Sequence, residues 1–165
     1  MNVATAIDLQ QGGGDAAQFL TFLLDGEEYG VDILRVQELK AWNSVTPLPN
    51  TPDWVLGVIN LRGLIVPIVD LRKRFGLAEI AYGATTVVIV LKLESQDRTR
   101  IVGVVVDAVS DVYNVPSAER KSPPEVGGTA NGFVRELATV GDKMVILLDI
   151  DVLLGDATAA PALAH

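Results

Sequence analysis

The 165-residue chain contains no cysteine, and its one histidine is the last residue. Disulfides, thiolate metal sites, cysteine nucleophiles and imidazole acid–base chemistry are therefore excluded or confined to the chain end. Basic residues are in short supply, with 13 Lys and Arg against 21 Asp and Glu and a formal net charge of -8. Such a balance opposes binding to a phosphate backbone, so nucleic acid is not an expected partner. Long hydrophobic runs are missing too: stretches such as Thr85 to Leu91 are too short to span a bilayer, and no cationic segment precedes an apolar one at the N-terminus. The expectation is a soluble cytoplasmic protein with no direct membrane insertion.

What is present is a dense apolar sequence, 49% of residues, at a length suited to one domain or two small lobes sharing a core. Residues 1–17 and 156–165 are Gly- or Ala-rich without a sustained apolar period and are expected to be flexible tails. Between them, 18–24, 85–93, 101–106 and 143–148 are short, rich in aliphatic residues and bounded by turn residues, which predicts strands. Several lack polar alternation. Phe19, Thr21 and Leu23 would face one side and Leu20, Phe22 and Leu24 the other, so both faces must be covered. The long crossover helices of a parallel α/β sheet are absent, so small barrels packed on each other or on a partner are predicted.

A weak internal repeat supports two lobes. Gly30 followed by Val36-Gln37-Glu38-Leu39 matches Gly103 followed by Val109-Ser110-Asp111-Val112, 73 positions on. Asp70 to Gly76 matches Asp149 to Gly155, 79 positions on. Each Asp can cap a short helix and each Gly can end it in the left-handed conformation. The growing offset places extra loop residues between Pro116 and Gly132 in the second copy. This gives a lobe of about 18–82 and another of about 83–155, with exchange of elements between them left open.

Residues that could carry chemistry mostly have structural explanations. Asp149 reads as a helix cap and Asp151 as a solvent-exposed acid, not as a catalytic pair. Asp107 and Asp111 lack calcium-loop spacing, and the glycine runs lack a phosphate-loop fingerprint, so no metal and no cofactor is expected. The serines have no histidine to activate them. Arg72-Lys73-Arg74 is the one short basic cluster and reads as a solvated helix face. Trp42 and Trp54 flank the Pro47 to Pro52 connector, with core packing expected for at least one.

The stretch from Gly57 to Gly76, GVINLRGLIVPIVDLRKRFG, is different. Arg62-Gly63 stands at a turn between two runs of valine and isoleucine, and Glu38 is a lone acid between Val36 and Leu39. If the barrel brings them together, a two-pronged charge-assisted pair is expected. Arg62 then reads either as an ordinary surface arginine or as an interface anchor ringed by aliphatic groups.

The order EYGVDI (28–33), VQEL (36–39), LPNTP (48–52), GVINLRGLIVPIVDL (57–71), GVVVDAVSDV (103–112) and MVILLDI (144–150) resembles the CheW family of bacterial chemotaxis adaptors, over about Gln18 to Gly155. The resemblance implies a mainly β fold of two SH3-like five-stranded β-barrel lobes with short helices. It also implies a non-catalytic adaptor that couples chemoreceptors to the histidine kinase CheA in signalling arrays at the inner face of the cytoplasmic membrane. The implied partners are the kinase's regulatory domain and the cytoplasmic tip of the receptors. By matching position, Val36, Glu38, Arg62, Val87 and Val105 are the implied receptor side, and Gly57 and Gly63 are implied to be sensitive to substitution. A CheW-like adaptor of a non-flagellar chemosensory system, serving pili or surface behaviour, is the alternative. A metabolic enzyme would need a polar cluster that the chain does not show.

Overall fold

In the computed structural model, residues 16–95, 98–124 and 132–155 are described. The expected C-terminal tail, residues 1–15 of the N-terminal one and part of the longer second loop lie outside that set. Eleven strands account for most of the rest. They are β1 (Ala17–Leu24), β2 (Glu27–Asp32), β3 (Val36–Ala41), β4 (Val55–Leu61), β5 (Leu64–Asp70), β6 (Val87–Ser95), β7 (Arg98–Val106), β8 (Ala108–Val115), β9 (Arg120–Lys121), β10 (Val134–Val140) and β11 (Lys143–Leu148). A single helical turn, α1 (Leu71–Arg74), follows β5, and residues 150–155 form another after β11. The strand expected at 85–93 starts two residues later, because Gly83 and Thr86 close a turn in which Gly83 N–H donates to Thr86 Oγ1.

The strands form two sheets, ordered β8-β1-β2-β11-β10-β9 and β3-β6-β7-β5-β4. The repeat is visible in both. The first two strands of each repeat, β1-β2 and β6-β7, form a hairpin, and the last two, β4-β5 and β10-β11, form another. The hairpins combine crosswise: β2 lies parallel to β11, and β7 lies parallel to β5. The middle strands cross as well, β3 pairing with β6 and β8 with β1. Each sheet thus draws on both runs of sequence, 18–82 and 83–155. Even the irregularities correspond, with a register shift between Val55 and Gly57 in β4 and between Val134 and Glu136 in β10.

Neither ladder closes fully, but each seam is strapped. Thr46, beyond β3, exchanges two backbone hydrogen bonds of 2.9 Å with Val58 on the free edge of β4. In the other sheet β9, beyond β8, does the same for β10. The sixth strand of the larger sheet is this strap, so each lobe is a five-stranded SH3-like ladder.

Three apolar clusters explain the strands without polar alternation. Leu20, Phe22 and Leu24 of β1, with Ile89, Leu91 and Leu93 of β6 and Val102, Val104 and Val106 of β7, fill a core shared by the two sheets. The opposite faces fill each lobe's own interior: Phe19, Val115, Ala138, Val145 and Leu147 in one, and Leu61, Val66, Ile68, Val88, Val90 and Val105 in the other. Both faces are dry, so neither tolerates a polar alternation. The lobe interiors are narrow enough to need a missing side chain: a β-carbon on Gly30 would stand 2.9 Å from Leu147 Cδ2, and one on Gly103 2.6 Å from Ile68 Cδ1.

Asp70 caps α1, accepting from the N–H groups of Arg72 and Lys73, and Asp149 accepts from Val152 N–H in the corresponding place. Gly76 ends the first turn at φ 75°, whereas Gly155 does not adopt positive φ, which corrects the expected symmetry of the two ends.

Candidate functional site

Arg62 and Gly63 are the two central residues of the β4–β5 hairpin, at φ 52° and 90°. Positive φ at both centres matches the right-handed twist of the flanking strands, and Asn60 Oδ1 fixes the turn by accepting from Gly63 N–H at 2.8 Å. Arginine is a costly residue at positive φ, since its Cβ crowds the following carbonyl. The turn therefore holds its guanidinium outward at a conformational cost. Glu38 lies on β3, at the opposite edge of the same sheet, and its Oε1 accepts from Arg62 Nη2. The ion pair joins the two edges across the seam. It meets through one nitrogen and one oxygen, in place of the two-pronged contact expected from sequence.

Hydrogen bonding to Arg62 holds the Glu38 carboxyl below its ordinary value, and the same bond raises Arg62. The pair is nonetheless wet: the arginine side chain is 72% exposed and the carboxylate 27%. Exposure of that degree screens the attraction, so the contact orients the guanidinium more than it stabilises the fold. Next to it on β5, Leu64 and Ile65 are exposed at 50% and 59% and form an apolar flank to the guanidinium.

The other candidates fall on the adjoining strands of this sheet, in two different situations. Val36, at the start of β3, and Val105, in β7, are 8% and 3% exposed and belong to the shared core and the lobe interior. They can shape a surface only through packing. Val87 is half-buried at the start of β6 and lines an open cleft between the lobes with Leu39, Lys40, Ala41, Val109 and Ser110. The crosswise strand pairing brings Val87 and Val105 onto the sheet that carries Glu38 and Arg62.

Gly57 sits where the Thr46–Pro47 connector crosses β4. A β-carbon there would lie 2.2 Å from Thr46 O, and φ is 150°. No side chain fits against backbone at that distance, so the glycine is required by the strap itself. Gly63 has open space around it, and its requirement is conformational.

Two expectations are corrected. The basic run 72–74 is not a solvated face. Arg72 is buried, forks onto Asp107 at 2.8 and 2.9 Å and donates to Ala78 O, while Arg74 lies over the rings of Trp54 and Phe133. Asp151 is not simply solvated, since it accepts two hydrogen bonds from Arg35, at 3.0 and 2.8 Å. Both tryptophans pack, Trp54 on the shared core and Trp42 on the lobe interior with its ring 4.6 Å from that of Tyr82. Among the described residues no group of acids or histidine could hold a metal ion, and no helix is long and apolar enough to cross a membrane.

Comparison with known proteins places these features in a wider set. A family described as CheW-like domain matches residues 18–158. The chemotaxis protein CheW of Klebsiella aerogenes is 45% identical over 144 residues, covering 87% of this chain and 84% of that protein. Protein FrzA of Myxococcus xanthus is 32% identical over 113 residues, 68% of each chain. Among solved structures, the scaffolding protein TtCheW of Thermoanaerobacter tengcongensis superimposes with a TM-score of 0.77 at 34% identity, over 84% of this chain and 92% of that one.

Proposed function

The chain belongs to the CheW-like family, and from that membership we propose that it is a non-catalytic chemotaxis adaptor coupling chemoreceptors to a CheA-type histidine kinase. The observation that carries the reading to a site is the outward guanidinium of Arg62, at the tip of the β4–β5 hairpin, held by Glu38 of β3 and flanked by exposed Leu64 and Ile65. A charged donor set in an apolar rim on a stiff element is what an interface anchor requires. In this reading Glu38 and Arg62 meet the receptor tip, Val87 lines the cleft beside it, and Val36 and Val105 keep the strands beneath in place. Gly57 and Gly63 maintain the strap and the turn. The adaptor is recruited to receptor arrays at the inner face of the cytoplasmic membrane.

The test is reconstitution with a kinase and receptor fragments from the same source, following receptor-dependent kinase autophosphorylation. Wild-type protein raises it, and Arg62→Ala lowers that gain while thermal stability stays unchanged. Failure of the wild type to bind any such kinase would overturn the function; unchanged coupling by a stably folded Arg62→Ala would overturn the site alone. A second reading is an adaptor for a chemosensory output other than flagella, such as pili or surface growth, and similarity to FrzA, a relative with a different name, favours keeping it. A deletion strain that swims normally toward attractants but is altered on surfaces would select it.

A further inference from the structure

The contacts at the centre of the two parallel strand pairs do not explain why the repeats combine crosswise. Across the parallel pairs Gly30 faces Leu147 and Gly103 faces Ile68, so uncrossed hairpins would set Gly30 against Ile68 and Gly103 against Leu147. Leucine and isoleucine have the same volume, and interiors accept such exchanges at small cost. Val145 and Val66, two residues before Leu147 and Ile68 and buried in their respective lobes, are identical. At these positions packing leaves the two arrangements nearly equivalent, although Phe19 with Ala138 in one lobe and Val88 with Ile59 in the other exchange less freely.

The charges at the ends of the parallel strands are not equivalent. Just beyond β2 and β11, Arg35 forks onto Asp151 at 3.0 and 2.8 Å. Near the corresponding ends of β7 and β5, Asp107 receives the fork of Arg72, at 2.8 and 2.9 Å. The geometry is similar with reversed polarity: a residue shortly after the second strand, Arg35 three positions beyond β2 and Asp107 one beyond β7, is a base in one sheet and an acid in the other, and a residue of the following helical turn opposes it each time. All four side chains are less than one-third exposed. If each repeat closed its own sheet, Arg35 would face Arg72 and Asp107 would face Asp151. A second contact points the same way. Lys143 Nζ lies 3.0 Å from Glu28 Oε1 across β11 and β2, and Glu28 is only 8% exposed. The position of Lys143 in the other repeat is filled by Leu64, so the uncrossed arrangement would leave the buried Glu28 without its cation.

We propose that the oppositely oriented ion pairs Arg35–Asp151 and Arg72–Asp107 select the crosswise strand pairing over a self-paired arrangement of each repeat. Like charges brought together in partly desolvated positions penalise the wrong pairing, while the right one gains two forked contacts. The like-charge penalty acts through the competing state, so it adds nothing to the stability that the two contacts give the native one.

Full-length variants refolded from urea test this, reading the fraction recovered at the wild-type elution volume with the wild-type amide-exchange pattern in β2, β7 and β11. Arg35→Asp/Asp151→Arg keeps a pair in the crosswise fold but also matches charges in the self-paired one, where the new acid at position 35 would face Arg72 and the new base at position 151 would face Asp107. Its recovery is expected to fall, with a second species appearing. Adding Arg72→Asp/Asp107→Arg reverses both pairs, restores the like-charge clash in the self-paired arrangement, and is expected to bring recovery back above that of the double variant. Wild-type recovery by the double variant, or no gain in the fourfold variant, would overturn the proposal. Should the reversals not fold, the neutral Arg35→Gln/Asp151→Asn variant reads the same effect: a folded second species with altered exchange in β2, β7 and β11 supports the selection, and recovery of the native pattern alone refutes it.

Discussion

Gly103 lies so close under Ile68 that a β-carbon on it would stand 2.6 Å from Ile68 Cδ1, and Gly30 repeats the relationship with Leu147 at 2.9 Å. Both aliphatic chains are fully buried, at 0% exposure, so neither can swing aside into solvent. Gly103→Ala is expected to destabilise the protein by about 1–3 kcal/mol, the usual range for overpacking a dense interior. Gly30→Ala, with the longer approach, costs less. Urea unfolding midpoints of the two variants check the order.

Gly57→Ala acts on backbone. Its β-carbon would overlap Thr46 O, which accepts from Val58 N–H and so forms half of the strap. The connector must lift, and both hydrogen bonds of the strap are lost. The expected result is a loss of roughly 2 kcal/mol or more, in the range of other strained backbone substitutions. Amide exchange localises it: Thr46 and Val58 lose protection, while the distant β10–β11 hairpin keeps it.

Arg62→Gly separates recognition from folding more sharply than Arg62→Ala. Glycine accepts the positive φ of the turn without strain, and the exposed ion pair contributes little. The thermal midpoint is expected to hold or rise while receptor coupling falls as far as in Arg62→Ala. A calorimetric scan beside a coupling assay measures both, and a drop in midpoint would show that the arginine is needed by the fold.

Acid should loosen the ends of the parallel strands together. Burial pushes the Asp107 carboxyl up, but its bonds from Arg72 and from Asp25 N–H outweigh that, and bonding to Arg35 lowers Asp151; both finish below the ordinary 3.8. A carboxyl depressed by folding contributes stability that is complete above its unfolded value and lost as pH falls through the folded one. The contribution of both is thus intact at neutral pH and disappears below about pH 3.8. Asp107→Asn and Asp151→Asn should each flatten the fall in stability across that acid range, as followed by urea unfolding at stepped pH.

Much of the fold is legible in the chain because strand pairing leaves a local signature. Continuous aliphatic runs announce strands covered on both faces, and Asp70 and Asp149 announce the helical turns by the spacing of cap and glycine. The turn at Arg62-Gly63 can be read because hairpin chemistry is local. The partnership of Arg62 with Glu38 needs more, since 24 residues separate them and only the strapped seam brings the sheet edges together. Arg72 and Asp151 mislead for the same reason. A charged residue on a short helix looks solvated until the partner strand delivers Asp107 or Arg35 to it. Val105 lies in a continuous aliphatic run and its burial is legible, whereas Val36, beside the polar Gln37 and Glu38, carries no such sign.

Residue identity and near-neighbour spacing are enough to establish the element types, the two-repeat plan, the exclusion of cysteine and histidine chemistry, and the arginine at a tight turn. They do not establish which repeat pairs with which, where the seams are strapped, or which charges are sheltered. Those depend on contacts between residues far apart in the chain, such as Arg35 with Asp151 and Arg72 with Asp107, and the local hydrophobic pattern that specifies a strand does not specify its partner.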